Sequence, residues 1–238
     1  MDEPKIIYED KDFLAIDKSA GMLVHGVVNK SNREKTLVDW LLKNYSEIKG
    51  VGDLPEIRPG IVHRLDKDTS GVMLVAKNQK AFDYLKKLFG NREIKKTYLA
   101  LVLGRVNPPA GGKIGIIDKS IKIKSGTIKR TVWKGKDEKT AVTEYKLIES
   151  LKLGNQEFSL LKVFPKTGRT HQIRVHLASI SHPIVADSLY GPKKDFGLKR
   201  QFLHAEAIEF TDILGKRIKI ESDLPEELRG FLKTLQKD

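Results

Sequence analysis

The sequence predicts an α+β fold, a mixed or antiparallel sheet carrying a few helices. The hydrophobic period switches repeatedly between the two-residue repeat of strands and the 3.6-residue repeat of helices. It does so too irregularly for a solenoid or a series of βαβ units. There is also no internal repeat and no linker, the proline-glycine run at 108–112 being too short to separate domains, so residues 1–238 read as a single domain.

Ile6-Ile7-Tyr8 and Phe13-Leu14-Ala15-Ile16-Asp17 flank a charged turn and predict a hairpin. Ser19-Ala20-Gly21 is a turn signal, and Thr36 can cap a short helix from Leu37 to Leu42. Gly50, Gly52, Pro55, Pro59 and Gly60 make 49–60 a loop. The apolar run Val72–Ala76 is a strand; Asn78 then caps an amphipathic helix over 79–88 that Gly90 ends. Strands are expected at Lys96–Leu103, 114–117, 120–124 and 128–133, and stronger ones at 140–148 and 158–164. The run Pro108-Pro109-Ala110-Gly111-Gly112 breaks this series. Thr170 can cap a helix reaching about Ser181, stopped by Pro183. A loop over Asp187–Gly197, strands at Phe202–Phe210 and Lys216–Ile220, and a last helix over about 225–236, opened by Pro225, complete the chain.

Hydrophobic residues are 39% and charged residues 32%, a balance that suits a folded core rather than disorder. No stretch approaches a membrane span, and the acidic start Met1-Asp2-Glu3-Pro4 is no signal segment, so a cytoplasmic protein is expected. The absence of cysteine excludes disulfides, thiolate catalysis and Cys-ligated metal sites. Net charge is +13, which favours a polyanionic partner. Between Lys113 and Lys139 stand nine basic residues, Lys122, Lys124, Lys129 and Arg130 among them, against three acids. A solvated lysine-rich face and a phosphate-contacting one both fit that segment; its extended character around Trp133 leans toward phosphate.

Chemistry concentrates first in His63-Arg64-Leu65-Asp66-Lys67-Asp68-Thr69-Ser70-Gly71, set directly against the Val72–Ala76 strand. If the run is extended, Arg64 and Asp66 share one face, with His63 and Leu65 on the other. Arg64 can then stabilise the Asp66 carboxylate or hold a phosphate beside it. Thr69, Ser70 and Gly71 suit a tight turn into the strand. Asp68 joins Asp66 on the same face if extension persists, which permits a paired-carboxylate site. A salt-bridged structural turn has the same composition, and from these residues alone both readings stand.

The second concentration is Lys166-Thr167-Gly168-Arg169-Thr170-His171-Gln172-Ile173-Arg174-Val175-His176. Gly168-Arg169 falls just before a helix start, where free N–H groups favour an anion. Arg169 and Arg174, five apart, lie on different helix faces. Arg174, between Ile173 and Val175, suits a buried charge-paired role with Asp66 as a natural partner. His25, His63, His171, His176, His182 and His204 form no metal-ligand spacing, and Gly111-Gly112-Lys113 lacks a nucleotide-binding frame. No metal and no cofactor is expected.

These residues, taken together, resemble the RluA-like pseudouridine synthases. His63-Arg64-Leu65-Asp66 with Thr69-Ser70-Gly71 is similar to the family's catalytic motif, and Gly168–His176 to its late motif. Lys96-Thr97-Tyr98-Leu99-Ala100 resembles the strand bearing its tyrosine. Asp17–Gly21 with His25, His182-Pro183-Ile184 with Asp187 and Tyr190-Gly191, and Leu203-His204-Ala205 continue the likeness, in family order, over about residues 6–220. Ser19 stands where the family has proline, and Ser181 and Ala186 where it has glycine; these are loop-stiffness positions and touch no chemistry.

The resemblance implies a mixed, largely antiparallel sheet flanked by helices and loops, with a central RNA cleft. Many members of the family carry an N-terminal S4-type RNA-binding domain, whereas this chain is expected to start at the catalytic domain. The resemblance also implies an RNA uridine isomerase in which Asp66 is the nucleophilic aspartate and Arg64 enters the RNA stack to extrude the uridine. Tyr98 would pack on the flipped base and Arg174 would hold Asp66 charged. Arg169 and His171 are assigned to RNA, with Lys122, Lys124, Lys129 and Arg130 as a handle. His63, Thr69, Ser70, Gly71 and Leu203 are assigned to support. The expected partner is structured RNA, ribosomal or transfer, bound by a monomer without cofactor. Two other readings are a non-catalytic RNA-binding or RNA-folding protein on the same scaffold, and an unrelated carboxylate-based nucleoside glycosidase. Retention of Arg64, Asp66, Tyr98 and Arg174 argues against the first, and the +13 charge against the second.

Overall fold

Strand-forming runs of β-branched and aromatic residues alternate with four helical segments, and the elements follow that order. The computed structural model describes residues 3–26, 34–107, 114–194 and 196–237. The first elements are β1 (Lys5–Glu9), β2 (Phe13–Lys18), α1 (Leu37–Asn44), β3 (Ser70–Ala76), α2 (Gln79–Gly90) and β4 (Lys95–Leu103). Next come β5 (Gly115–Asp118), β6 (Ile121–Ile123), β7 (Arg130–Thr131), β8 (Lys136–Lys139), β9 (Val142–Leu153) and β10 (Gln156–Pro165). The chain ends with α3 (Gln172–Ala178), β11 (Leu203–Thr211), β12 (Arg217–Glu221), α4 (Glu226–Lys233) and β13 (Gln236–Lys237). The fold is α+β with a largely antiparallel sheet. The 108–112 break and Lys113 lie outside the described residues.

Two compact units divide the chain, Met1–Lys95 with Ala205–Asp223 and Lys96–His204 with Leu224–Asp238. In the first, β2 pairs antiparallel with β1 and with β3, Phe13 facing Ala76 and Lys18 facing Gly71. β11 lies beyond β3 and pairs with β12. Strand β3 is buried along its whole length, which explains its uninterrupted apolar run. Gly71, its second residue, sits at φ +117, and a methyl there would run into the Ala205 carbonyl, so only glycine fits. Ala81, Phe82, Leu85 and Leu88 of α2 pack with Phe13, Val72, Leu74, Phe210 and Ile218 in this unit's core.

Both N-terminal helices start where their caps predict. The Thr36 hydroxyl accepts from the Asp39 amide while the Asp39 carboxylate accepts from the Thr36 amide, a reciprocal capping box. Asn78 caps α2 by accepting from Ala81. Gly90, expected to terminate α2 beyond its end, is instead its last helical residue; Asn91 caps it and the left-handed turn falls at Arg92, φ +62.

In the second unit β4, β10 and β9 lie side by side, all antiparallel, with β5 and β13 on β9. Phe158, Leu161, Leu101, Phe202, Leu203 and Leu228 are central to its core. β7, β6 and β8 form a separate three-stranded sheet. The expected 128–133 strand shrinks to two residues, and β8 appears where only charged residues occur, so no apolar alternation marks it. Helix α3 starts one residue later than expected and is shorter, with His171 at φ +56 as its N-cap and no side-chain cap hydrogen bond. The last helix stops at Lys233, and Gln236–Lys237 pairs with β9 rather than continuing it.

His176 is fully buried on α3, its Nδ1 on the Thr143 hydroxyl and its Nε2 on the Lys119 carbonyl, 2.9 Å each. Burial holds its pKa below the ordinary 6.5. The unfolded chain then takes up this proton before the folded one does. Stability is therefore fully present above pH 6.5 and falls as pH drops below it, by at most roughly 1.4 kcal/mol per pH unit. Urea unfolding at a series of pH values should give a shallower acid slope for His176→Asn than for the parent. Equal slopes would remove His176 as the cause.

Candidate active site

Asp66 sits in a short loop whose backbone is fixed from behind. Lys18, at the end of β2, is fully buried, and its ammonium donates to the carbonyls of Ser19 (2.7 Å), Met22 (3.0 Å) and Lys67 (3.0 Å). The Lys67 carbonyl also accepts from the Gly21 amide at 2.9 Å. The residue next to Asp66 is thus held twice, by a buried cation and by the glycine turn. On the other side the Thr69 amide donates to the Asp66 carbonyl at 3.1 Å, closing a turn into β3. A buried charge is costly to strip of its acceptors, so this arrangement resists displacement. Thr69 and Ser70 are buried beneath it.

Leu65 is buried, Arg64 exposed and Asp66 half-buried, which agrees with an extended stretch over these residues. The turn at 67–68 then ends the extension, so the condition for Asp68 to share Asp66's face is not met. His63 accepts the Leu74 amide at Nε2 (2.9 Å) and its ring lies 4.5 Å from that of Phe89. It ties the loop to β3 and α2. Arg64 reaches His25, Nη1 to Nε2 at 3.2 Å, an exposed contact that leaves the guanidinium at the surface.

The second unit carries the other two expected catalytic residues. Tyr98 lies half-buried on β4 opposite Val163. Two residues earlier, and so on the same strand face, Lys96 donates to the Thr167 carbonyl at 3.4 Å. Burial pulls its ammonium down to about 8. Arg174 on α3 is buried and makes a two-pronged pair with Asp187, Nε to Oδ2 at 2.7 Å and Nη2 to Oδ1 at 2.8 Å. Asp187 also accepts the amides of Leu189 and Tyr190, and the Tyr190 ring lies 5.3 Å from the guanidinium. Within its own unit the carboxylate that Arg174 takes is therefore Asp187. Such a fork fixes the arginine in both direction and plane.

The loop before α3 is stitched rather than open. Buried Gln172 accepts from the Thr167 hydroxyl (2.6 Å) and the Arg169 amide (3.0 Å), and donates to Val142 and Thr143 (3.0 Å each). Of the N–H groups expected to be free for an anion at Gly168-Arg169, that of Arg169 is taken by Gln172. The Arg169 side chain donates to the Thr140 carbonyl at 3.1 Å, and His171 Nδ1 meets the Tyr190 hydroxyl at 2.9 Å. That hydroxyl also accepts the Arg130 amide at 2.7 Å, so Tyr190 ties the three-stranded sheet to the arginine's surroundings. Lys122 pairs with Glu138 (3.1 Å), Lys124 is exposed, Lys129 and Arg130 are half-exposed, and Leu203 lies in the core.

Lys18, Lys96, Asp187 and Tyr190 are the residues whose parts are not assigned from sequence. A lysine two residues before Tyr98 is legible by strand period. The part of Lys18 at the Asp66 loop has no local signal, because the acceptor that links it there, the Lys67 carbonyl, lies 49 positions away. No cluster of three or more metal-ligand side chains occurs among the described residues, and none of their helices is long and apolar enough to cross a membrane.

Comparison with known proteins places this geometry. The family model for RNA pseudouridylate synthase matches residues 12–179, a span that contains Asp66, Tyr98 and Arg174. The "Uncharacterized RNA pseudouridine synthase YlyB" of Bacillus subtilis is 36% identical over 235 residues, covering 98% of this chain and 73% of that protein. The "Ribosomal large subunit pseudouridine synthase D" of Borreliella burgdorferi is 38% identical over 234 residues, covering 98% of this chain and 68% of that protein. Among solved structures, "Human RNA Pseudouridylate Synthase Domain Containing 1" superposes with a TM-score of 0.78 at 23% identity, over 99% of this chain and 89% of that one, a likeness of fold. A motif-bearing span of this length, with relatives of this identity over nearly the whole sequence, makes the chain a member of the RNA pseudouridylate synthase family and an enzyme of its isomerase class.

Proposed function

We propose that this enzyme isomerises uridines in structured ribosomal or transfer RNA, with Asp66 as the working carboxylate. The observation that carries the reading is the fixation of the Asp66 loop through Lys18 and the Lys67 carbonyl. Isomerisation breaks the bond between uracil N1 and the sugar C1′, turns the base and joins C5 to C1′. The base then loses its C5 proton and gains one at N1. A positioned carboxylate acts at the sugar, by attack on C1′ or by assisting glycal formation. Holding it still keeps it within reaction distance through both bond changes.

The other roles follow from what each residue offers. A uridine in a duplex must be extruded, at roughly a few kcal/mol. Arg64, exposed and long, suits occupation of the vacated stack. Tyr98 offers the base an aromatic partner, and its hydroxyl a place for the C5 proton. Arg174, its plane set by Asp187 and Tyr190, suits holding Asp66 charged. Arg169, His171, Lys122, Lys124, Lys129 and Arg130 supply phosphate contacts. The name of the Borreliella relative favours large-subunit ribosomal RNA over transfer RNA as the first substrate to try.

Mapping pseudouridine in total RNA from cells with and without this protein should lose one or a few sites, in ribosomal or transfer RNA. An unchanged map would contradict the reading. Lys18→Met should lower stability by about 1–3 kcal/mol, since it leaves buried carbonyls without a donor. It should also cut the single-turnover isomerisation rate at least tenfold, with RNA affinity nearly unchanged. A Lys18→Met enzyme that is folded and fully active would detach the cage from catalysis.

A further inference from the structure

A large aromatic ring stands in water on the small β7-β6-β8 sheet, where its neighbours are cations. Trp133 is 68% exposed. Val132, the residue before it, packs inward with Ile121 and Val175. The ring is not adrift. The Trp133 amide donates to the Thr131 hydroxyl at 3.1 Å, and the Lys119 ammonium lies 5.4 Å from the ring centroid. That ammonium is itself anchored on Ser179 at the end of α3, by its carbonyl at 3.2 Å and its hydroxyl at 3.4 Å. Gly135 lets the following chain cross tightly, since a Cβ there would lie 2.6 Å from the Ile123 carbonyl and 2.8 Å from Lys122 Cβ. The bend that carries the ring, between β7 and β8, is therefore seated closely on β6.

Charge identifies what such a ring would meet. Between Lys119 and Lys139 there are eight basic residues and two acids. Lys124, Lys134, Lys136 and Lys139 are exposed, while Glu138 engages Lys122. A polyanion satisfies the cations, and a flat apolar face satisfies the indole. A nucleic-acid strand with an unpaired base supplies both, because base faces inside a duplex are already stacked. An acidic peptide supplies charge without the flat face.

We propose that Trp133 is a stacking platform for an unpaired base of the substrate RNA, with the surrounding lysines on its phosphates. The ring takes the base on the side away from Lys119. This rests on the reading of the chain as an RNA-acting enzyme and narrows its substrate class to RNA with an unpaired nucleotide outside the reacting uridine. Stacking is tolerant of base identity, so the platform contributes affinity for an open strand rather than a sequence code.

The chain has two tryptophans, so Trp40→Phe leaves Trp133 as the sole indole. Titrating this full-length variant with a twelve-nucleotide oligoadenylate should quench its fluorescence, and a twelve-base-pair RNA duplex should not. Trp133→Ala should weaken single-strand binding about 5- to 150-fold, the equivalent of ~1–3 kcal/mol. Trp133→Phe should recover most of that loss, and duplex affinity and the salt slope should stay put. Absent quenching by a bound single strand, or an equal loss on strand and duplex, overturns the platform. The quenching arm removes nothing from the sheet, so it decides the matter even if Trp133→Ala fails to fold. Failure of the parent protein to bind either RNA would instead bring down the RNA-enzyme reading itself.

Discussion

The buried ammonium of Lys18 is the interaction on which the Asp66 loop depends. It ends the largely buried strand β2 and donates to three main-chain carbonyls, one of them beside the candidate catalytic aspartate. Main-chain acceptors cannot rotate away as side chains can, so the cage sets backbone position rather than side-chain preference. The strands β2 and β3 fix where Lys18 and Gly71 face each other, and the loop between them in space inherits that register. Each of these links is short. Together they carry the rigidity of the sheet to a half-buried carboxylate.

The second unit fixes its functional residues by the same means, with different groups. Gln172 uses both its oxygen and its nitrogen to bind the approach to α3 against β9. Asp187 divides its carboxylate between Arg174 and two amides. Tyr190 offers a ring to the guanidinium and its hydroxyl to Arg130 and His171. Buried polar groups of this kind are satisfied through several partners at once, which leaves one geometry rather than many. Among the described residues no buried side-chain nitrogen or oxygen is left without a hydrogen bond.

Much of this was legible in the residues, and what was not has a physical reason. Caps at Thr36 and Asn78 and the apolar runs of β2, β3 and β10 are local signals, and the elements follow them. The start of helix α3 has no local signal because it depends on Gln172 reaching back to Thr167 and Arg169, not on Thr170. β8 carries only charged residues and is held by pairing to β6. The chemical run at His63–Gly71 was visible as a cluster, and its turn at 67–68 separates Asp66 from Asp68. Lys18 and Asp187 act over distances along the chain that no spacing rule covers.

The central claim is that Asp66, held in this loop, makes and breaks the bonds at the uridine sugar. Asp66→Asn keeps the size of the side chain while removing the carboxylate. Tritium release from RNA carrying uridine labelled at C5 reads the reaction directly, since the isomerised base must give up that hydrogen. The account predicts release by the parent enzyme and a loss of at least about a thousandfold in Asp66→Asn, ~4 kcal/mol of transition-state stabilisation, at unchanged RNA affinity. Release by Asp66→Asn at a rate near the parent's would contradict it.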